Sequence, residues 1–119
     1  MSDAASQIRV RHEGGVACVQ FAQRSIIEEA VIHQIGQELL KLVDAGQTPK
    51  VVLDFTGVEH LSSAALGVLI SVNTRVKTRG GQLRLCSISK TIFEVFRITK
   101  LDRIFQTCDT AEQALQSLA

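Results

Sequence analysis

The sequence predicts one α/β domain with a mostly parallel central sheet, an N-terminal antiparallel hairpin and about four helices. Three observations carry this reading. Strand-like apolar runs alternate with stretches of helical period, which calls for crossover connections between parallel strands. Gly14-Gly15 sits between two β-rich stretches at the start, where a tight turn would pair them antiparallel. The 119 residues are 45% hydrophobic, enough for one real core without disulfide or metal staples and too apolar for a disordered chain. One domain is therefore expected over 1–119, with its core at about 8–118.

The hairpin comes from "IRVRHEGGVACVQF" at 8–21, where Ile8, Val10 and His12 alternate with Arg9 and Arg11 before the glycine pair. From Glu28 to Asp44 the period changes. Val31, Ile35, Leu39 and Leu42 recur at helical spacing, with Gln34, Glu38 and Lys41 opposite, and Gly46 and Pro49 close the segment. "KVVLDF" at 50–55 reads as a strand buried on both faces. A loop, "TGVEHL", leads to a second helix whose inward face carries Ala65, Leu66, Leu69, Ile70, Asn73 and Val76, ending at Gly80-Gly81. A strand is expected at 82–88, a short helix over Ser89–Thr99, a last strand at 103–107, and a final helix capped by Thr110.

Composition narrows the function classes. A net charge of +1 gives no overall pull toward nucleic acid or membrane. No apolar run approaches the ~18–20 residues that span a bilayer, and the polar start "MSDAASQIR" lacks the apolar centre of a signal peptide. The expectation is a cytoplasmic protein. Cys18, Cys86 and Cys108 are scattered and form no CxxC, so neither a metal knuckle nor a redox pair is expected; Cys18 and Cys86 read as buried small hydrophobes. No cofactor or metal is expected.

"VVLDFTGVEHLSSAALGVLISV" resembles the signature segment of STAS domains, specifically that of the bacterial anti-sigma factor antagonists. The shared pattern is an apolar strand ending in Asp-Phe-Thr-Gly-Val, a short loop, and a hydroxyl-rich helix start running into Leu-Gly-Val-Leu. The downstream "GGQLRLCSISKTIFEVFRITKLDRIF" resembles the second half of the same family. The resemblance spans residues 8–118 and is stronger after Pro49 than before it.

The resemblance implies a non-enzymatic regulator that binds an anti-sigma factor, itself a serine kinase, and is phosphorylated by it at the helix start. Aligned on Leu66-Gly67-Val68, it places the phospho-acceptor at Ser63 and the partner contact at Ser62, Ser63, Ala64 and Leu66. Ser62 stands where the family usually has Asp, and Ala64-Ala65 where it has a small pair. The paired hydroxyls then divide the work. If Ser62 is the N-cap, its oxygen accepts from the backbone N–H of Ala64 or Ala65, and the Ser63 hydroxyl is left for solvent or a partner. The alternative within the same family is a non-catalytic STAS subunit of a transport or lipid-handling complex, with Ser63 as a contact residue. The choice between monomer and weak dimer stays open.

Other candidates weigh less. Asp54 ends a strand but lacks the acidic companions of a metal-assisted phosphoacceptor, so it reads as structural. Asp54, His60 and Ser63 hold the residue types of a hydrolase triad without a GxSxG elbow. Gly80-Gly81 has no phosphate-loop pattern around it. Eight of the thirteen Lys/Arg lie between Arg75 and Arg103, opposed there only by Glu94 and Asp102. That stretch is either a solvated face or one that meets an acidic partner. It lacks the interleaved aromatic residues of a nucleic-acid surface.

Overall fold

The computed structural model describes residues 6–46 and 48–118. The first five residues of the polar start, Gln47 and Ala119 lie outside them. Strand β1 (Ile8–Glu13) turns through Gly14 and Gly15 into antiparallel β2 (Val16–Phe21). Both glycines have positive φ, 55° and 81°, the conformation a two-residue hairpin turn needs and side chains resist. β2 then pairs in parallel with β4 (Lys50–Asp54), β4 with β6 (Gln82–Cys86), and β6 with β7 (Thr107–Cys108). The sheet order is β1-β2-β4-β6-β7. The expected hairpin and mostly parallel sheet are both present.

Among the described residues three α-helices lie between strands and a fourth follows β7. They are α1 (Glu29–Ala45), α2 (Ser63–Thr78), α3 (Lys90–Ile98) and α4 (Ala111–Leu118). Because strand side chains alternate between faces, β4 sends Val51 and Leu53 into one apolar cluster and Val52 into another. The larger cluster holds Leu39 and Val43 from α1, Leu69, Val72 and Val76 from α2, and Ile92 and Phe96 from α3. The smaller one, on the opposite face, holds Val16, Cys18, Val52 and Cys86 beneath Ala114 and Leu118 of α4. Cys18 and Cys86 are buried as expected, and Cys108 is half-buried.

Several sequence expectations need adjustment. The buried stripe of α1 is Ile32, Ile35, Gly36, Leu39 and Val43; Val31 and Leu42 stand at its margin. The strand expected at 103–107 is mostly something else. Lys100 takes a left-handed conformation, a 3-10 turn covers Leu101–Arg103, and only Thr107–Cys108 pair with β6. Phe105 is drawn inward against Phe96, with ring centroids 5.7 Å apart, so its side chain serves the core and not a ladder. The strand expected at 82–88 ends at Cys86, because Ser87 has positive φ. A two-residue parallel pair, β3 (Ser25–Ile26) with β5 (His60–Leu61), was not expected. It anchors the segment leading into α2.

Candidate functional site

The start of α2 is built by three neighbours. β5 brings the chain up beside β3, and the Ser62 N–H donates to the Ile26 carbonyl at 3.2 Å. Ser62 is the N-cap, with extended backbone, and its hydroxyl accepts from the Ala65 N–H at 3.2 Å. Of the two donor amides left open by the sequence, Ala65 is the one used. The Ser62 carbonyl accepts from the Leu66 N–H at 3.1 Å, closing the first helical turn. Ser62 is thus committed three times to the local fold.

Ser63 differs in every respect. It is the first helical residue, is exposed, and forms no side-chain hydrogen bond with any described residue. Ala64 beside it is also exposed. Leu66 turns inward and is buried in the larger cluster, so it supports the helix start from beneath and presents little surface of its own. The four residues singled out by sequence therefore sort into an exposed pair, a half-buried cap and a buried support. No acidic residue stands in the first turn of α2. The positive end of this 16-residue helix is left uncompensated where Ser63 sits.

Sequence reasoning missed Ile27. It follows β3 directly, one residue beyond the carbonyl that holds Ser62, and is 56% exposed. This leaves one apolar side chain in solvent next to the residue whose carbonyl holds Ser62; a single exposed apolar residue is ordinary on a protein surface and does not by itself mark a contact. The pair Ile26-Ile27 gave no sign of which member faces out, since a two-residue strand is too short to show alternation.

The hydrolase constellation does not assemble. Asp54 is buried, and its Oδ1 accepts from the Thr56 hydroxyl at 2.6 Å and the Thr56 N–H at 3.0 Å, while Oδ2 accepts from Gln20 Nε2 at 3.2 Å. Burial pushes its pKa up, and the donors from Thr56, Gln20 and Ser87 outweigh that and hold it below the usual value. His60 is exposed on β5, and no hydrogen bond joins Asp54, His60 and Ser63. Asp54 is a structural strand-end residue. Among the described residues no His/Cys/Asp/Glu group is arranged to hold a metal ion, and no helix is long and apolar enough to cross a membrane.

Comparison with known proteins identifies the family and the fold. The STAS domain model matches residues 7–114. A putative anti-sigma factor antagonist, BtrV, of Bordetella bronchiseptica is 32% identical over 99 residues, covering 83% of this chain and 81% of that protein. The solved anti-sigma-factor antagonist (STAS) domain protein of Planctomyces limnophilus superposes with a TM-score of 0.84 at 31% identity, over 93% of this chain and 97% of that one. The phosphorylated form of the Bacillus cell fate determinant SpoIIAA shares the fold, with a TM-score of 0.71 at 14% identity over 94% and 99% of the two chains. With its hairpin-led parallel sheet and capped α2, the chain belongs to the STAS domain family, among relatives named as anti-sigma factor antagonists.

Proposed function

We propose that this protein is a cytoplasmic, non-catalytic anti-sigma factor antagonist that binds an anti-sigma factor with serine kinase activity and is switched by phosphate on Ser63. The partner surface comprises Ser62, Ser63 and Ala64, with Ile27 beside them and Leu66 beneath. One observation carries the reading: at the head of α2 one hydroxyl is spent on the cap, and the next is exposed and unengaged.

The physics of a switch follows from that asymmetry. A phosphate on Ser63 adds about −1.5 to −2 charges. The uncompensated end of α2 favours negative charge by about 0.3–1 kcal/mol, so modification leaves the fold intact. A partner closed over Ser63 would instead have to bury a dianion, at several kcal/mol unless it is paired. Since about 1.4 kcal/mol is tenfold in affinity, one phosphate is enough to release the partner.

The test is incubation with ATP and the histidine-kinase-like ATPase encoded nearest to the gene, followed by phosphosite mapping and calorimetry of the complex. Label at Ser63, and loss of binding on labelling, is the expected result. Label at Ser62, or unchanged affinity after stoichiometric labelling, would refute the switch.

A further inference from the structure

The C-terminal half of α2 faces an open piece of sheet edge. β7 pairs with β6 only at Leu85 and Cys86. Gln82 donates its N–H to Pro49 and Cys86 accepts from Phe55, both on the β4 side, whereas the Leu85 N–H donates to Gln106 on the β7 side. Alternation along the strand therefore turns the Leu83 N–H to the β7 side as well. There it meets no described partner, because the chain leaves the ladder before Gln106, where Phe105 turns into the core, and Ile104 and Gln106 line a groove beside it. This groove, of about 120 Å³, lies between the edge and the helix.

The groove is lined for a negatively charged visitor. Asn73, Lys77, Arg84, Gln106 and Ile104 line it together with Leu83, and no acidic residue does. Asn73 is only 6% exposed, yet no hydrogen bond joins its amide to a described residue. The neighbouring inward positions of the same helix are Leu69, Val72 and Val76. The Asn73 amide is not an enclosed orphan, since among the described residues only Arg79 Nε is buried without a partner; it reaches the groove surface, where a ligand can bond it. Lys77 is exposed and has no carboxylate within salt-bridge distance among the described residues. Arg84 bonds Ser117, Gln82 and the Leu83 carbonyl, all neutral groups, so its charge is also uncompensated.

The two cations flank the edge from opposite faces. Lys77 comes from α2, over the larger cluster; Arg84 lies on the α4 side, bonded to Ser117 of α4. An extended chain sends successive side chains to opposite faces. We propose that the open half of β6 takes up a short, extended, acidic segment of a protein partner. The Leu83 N–H donates to the segment's backbone, one carboxylate meets Asn73 and Lys77, and the next meets Arg84. Strand addition at a free edge, with pockets for alternate side chains, is an established mode of peptide recognition. Asn73 lies ten positions after Ser63 on α2, about 15 Å along the helix at its usual rise. The groove is therefore a second contact, independent of the Ser63 reading.

The probe is a capped hexapeptide, Thr-Val-Glu-Asp-Val-Thr, titrated into the whole protein and followed by nuclear magnetic resonance. Its Lys-Lys counterpart and inorganic phosphate are titrated in parallel. The acidic peptide is expected to shift the Leu83 backbone amide and the Asn73 side-chain amide, with affinity falling as salt rises. Lys77→Glu, at an exposed position, is expected to weaken binding at least tenfold, as is the near-isosteric Asn73→Leu. Equal shifts with the lysine peptide, the same shifts with phosphate alone, no shift at Leu83, or full-strength binding by Lys77→Glu would each overturn the proposal. Ser63→Asp is expected to leave peptide affinity unchanged, and a loss there would overturn the independence of the two contacts.

Discussion

The Ser62 hydroxyl accepts from the Ala65 amide at 3.2 Å, while Ser63, the first residue of the helix, has no comparable bond to a described residue. Adjacent serines of identical chemistry therefore have unequal thermodynamic weight. Ser62→Ala is expected to lower stability by about 0.5–2 kcal/mol, and Ser63→Ala to leave the melting temperature nearly unchanged. Thermal melts of the two variants side by side check this. Equal losses would mean that the cap is shared.

Leu69 tests the packing of α2 on the sheet. It is buried in the larger cluster with Leu53, Val72 and Leu85. Leu69→Ala removes three carbons from a packed site, and urea denaturation is expected to show a loss of about 2–5 kcal/mol. A loss under about 0.5 kcal/mol would be out of keeping with a closed core.

Gly81 tests a close backbone approach. A Cβ at this position would overlap the Pro49 carbonyl oxygen, the same oxygen that accepts the Gln82 N–H at 2.9 Å. Nothing flexible is there to yield, since the neighbour is backbone. Gly81→Ala is expected to cost more than the usual overpacking range of about 1–3 kcal/mol. Gly67→Ala, where a Cβ meets open space within an exposed helical position, is expected to be neutral or stabilising. Comparing the two denaturation midpoints separates a steric requirement from a general preference for glycine.

Asp54 makes stability depend on pH. Its folded-state pKa lies below the ordinary 3.8, so the folded protein binds fewer protons than the unfolded chain in that region. The stabilisation from its hydrogen bonds is present above 3.8 and is lost as pH falls through the lowered folded value. Asp54→Asn is expected to be less stable near neutrality and to lose less on acidification. Urea midpoints measured from neutral pH down to about pH 2 check the sign; parallel curves for the two proteins would assign the acid sensitivity elsewhere.

How much of this was legible in the sequence depends on local pattern length. α2 was readable because Ala65, Leu66, Leu69 and Val76 repeat over several turns and a serine precedes them. The cap could be placed at Ser62 for the same reason, although the amide it bonds could not. For α1 the period marks the helix but not its exact buried face, since Val31 and Leu42 are as apolar as the Ile32 and Val43 that are buried. Short elements carry too few residues to show a period. The β3–β5 pair escaped for that reason, and "RIFQT" looked like a strand when Phe105 was serving the core. Arg79 looked like one more surface cation in a basic stretch. Its guanidinium in fact donates to the Gly46 carbonyl, tying the end of α2 to the end of α1. The open edge at Leu83 was beyond sequence reading, because it depends on where a later segment departs from the sheet.

The two faces of the sheet are covered unequally, and the difference is open to a chemical test. Three helices contribute to one face, while α4 alone lies over Cys18 and Cys86. An isolated helix of eight residues holds no shape in water, so α4 is ordered only while docked. Burial keeps the Cys86 thiol neutral, its pKa pushed up to about 12. A neutral, covered thiol does not react. Alkylation of Cys86 under native conditions therefore requires an opening that uncovers this face, and faster alkylation of Cys86 than global unfolding is the expected sign that α4 leaves by itself.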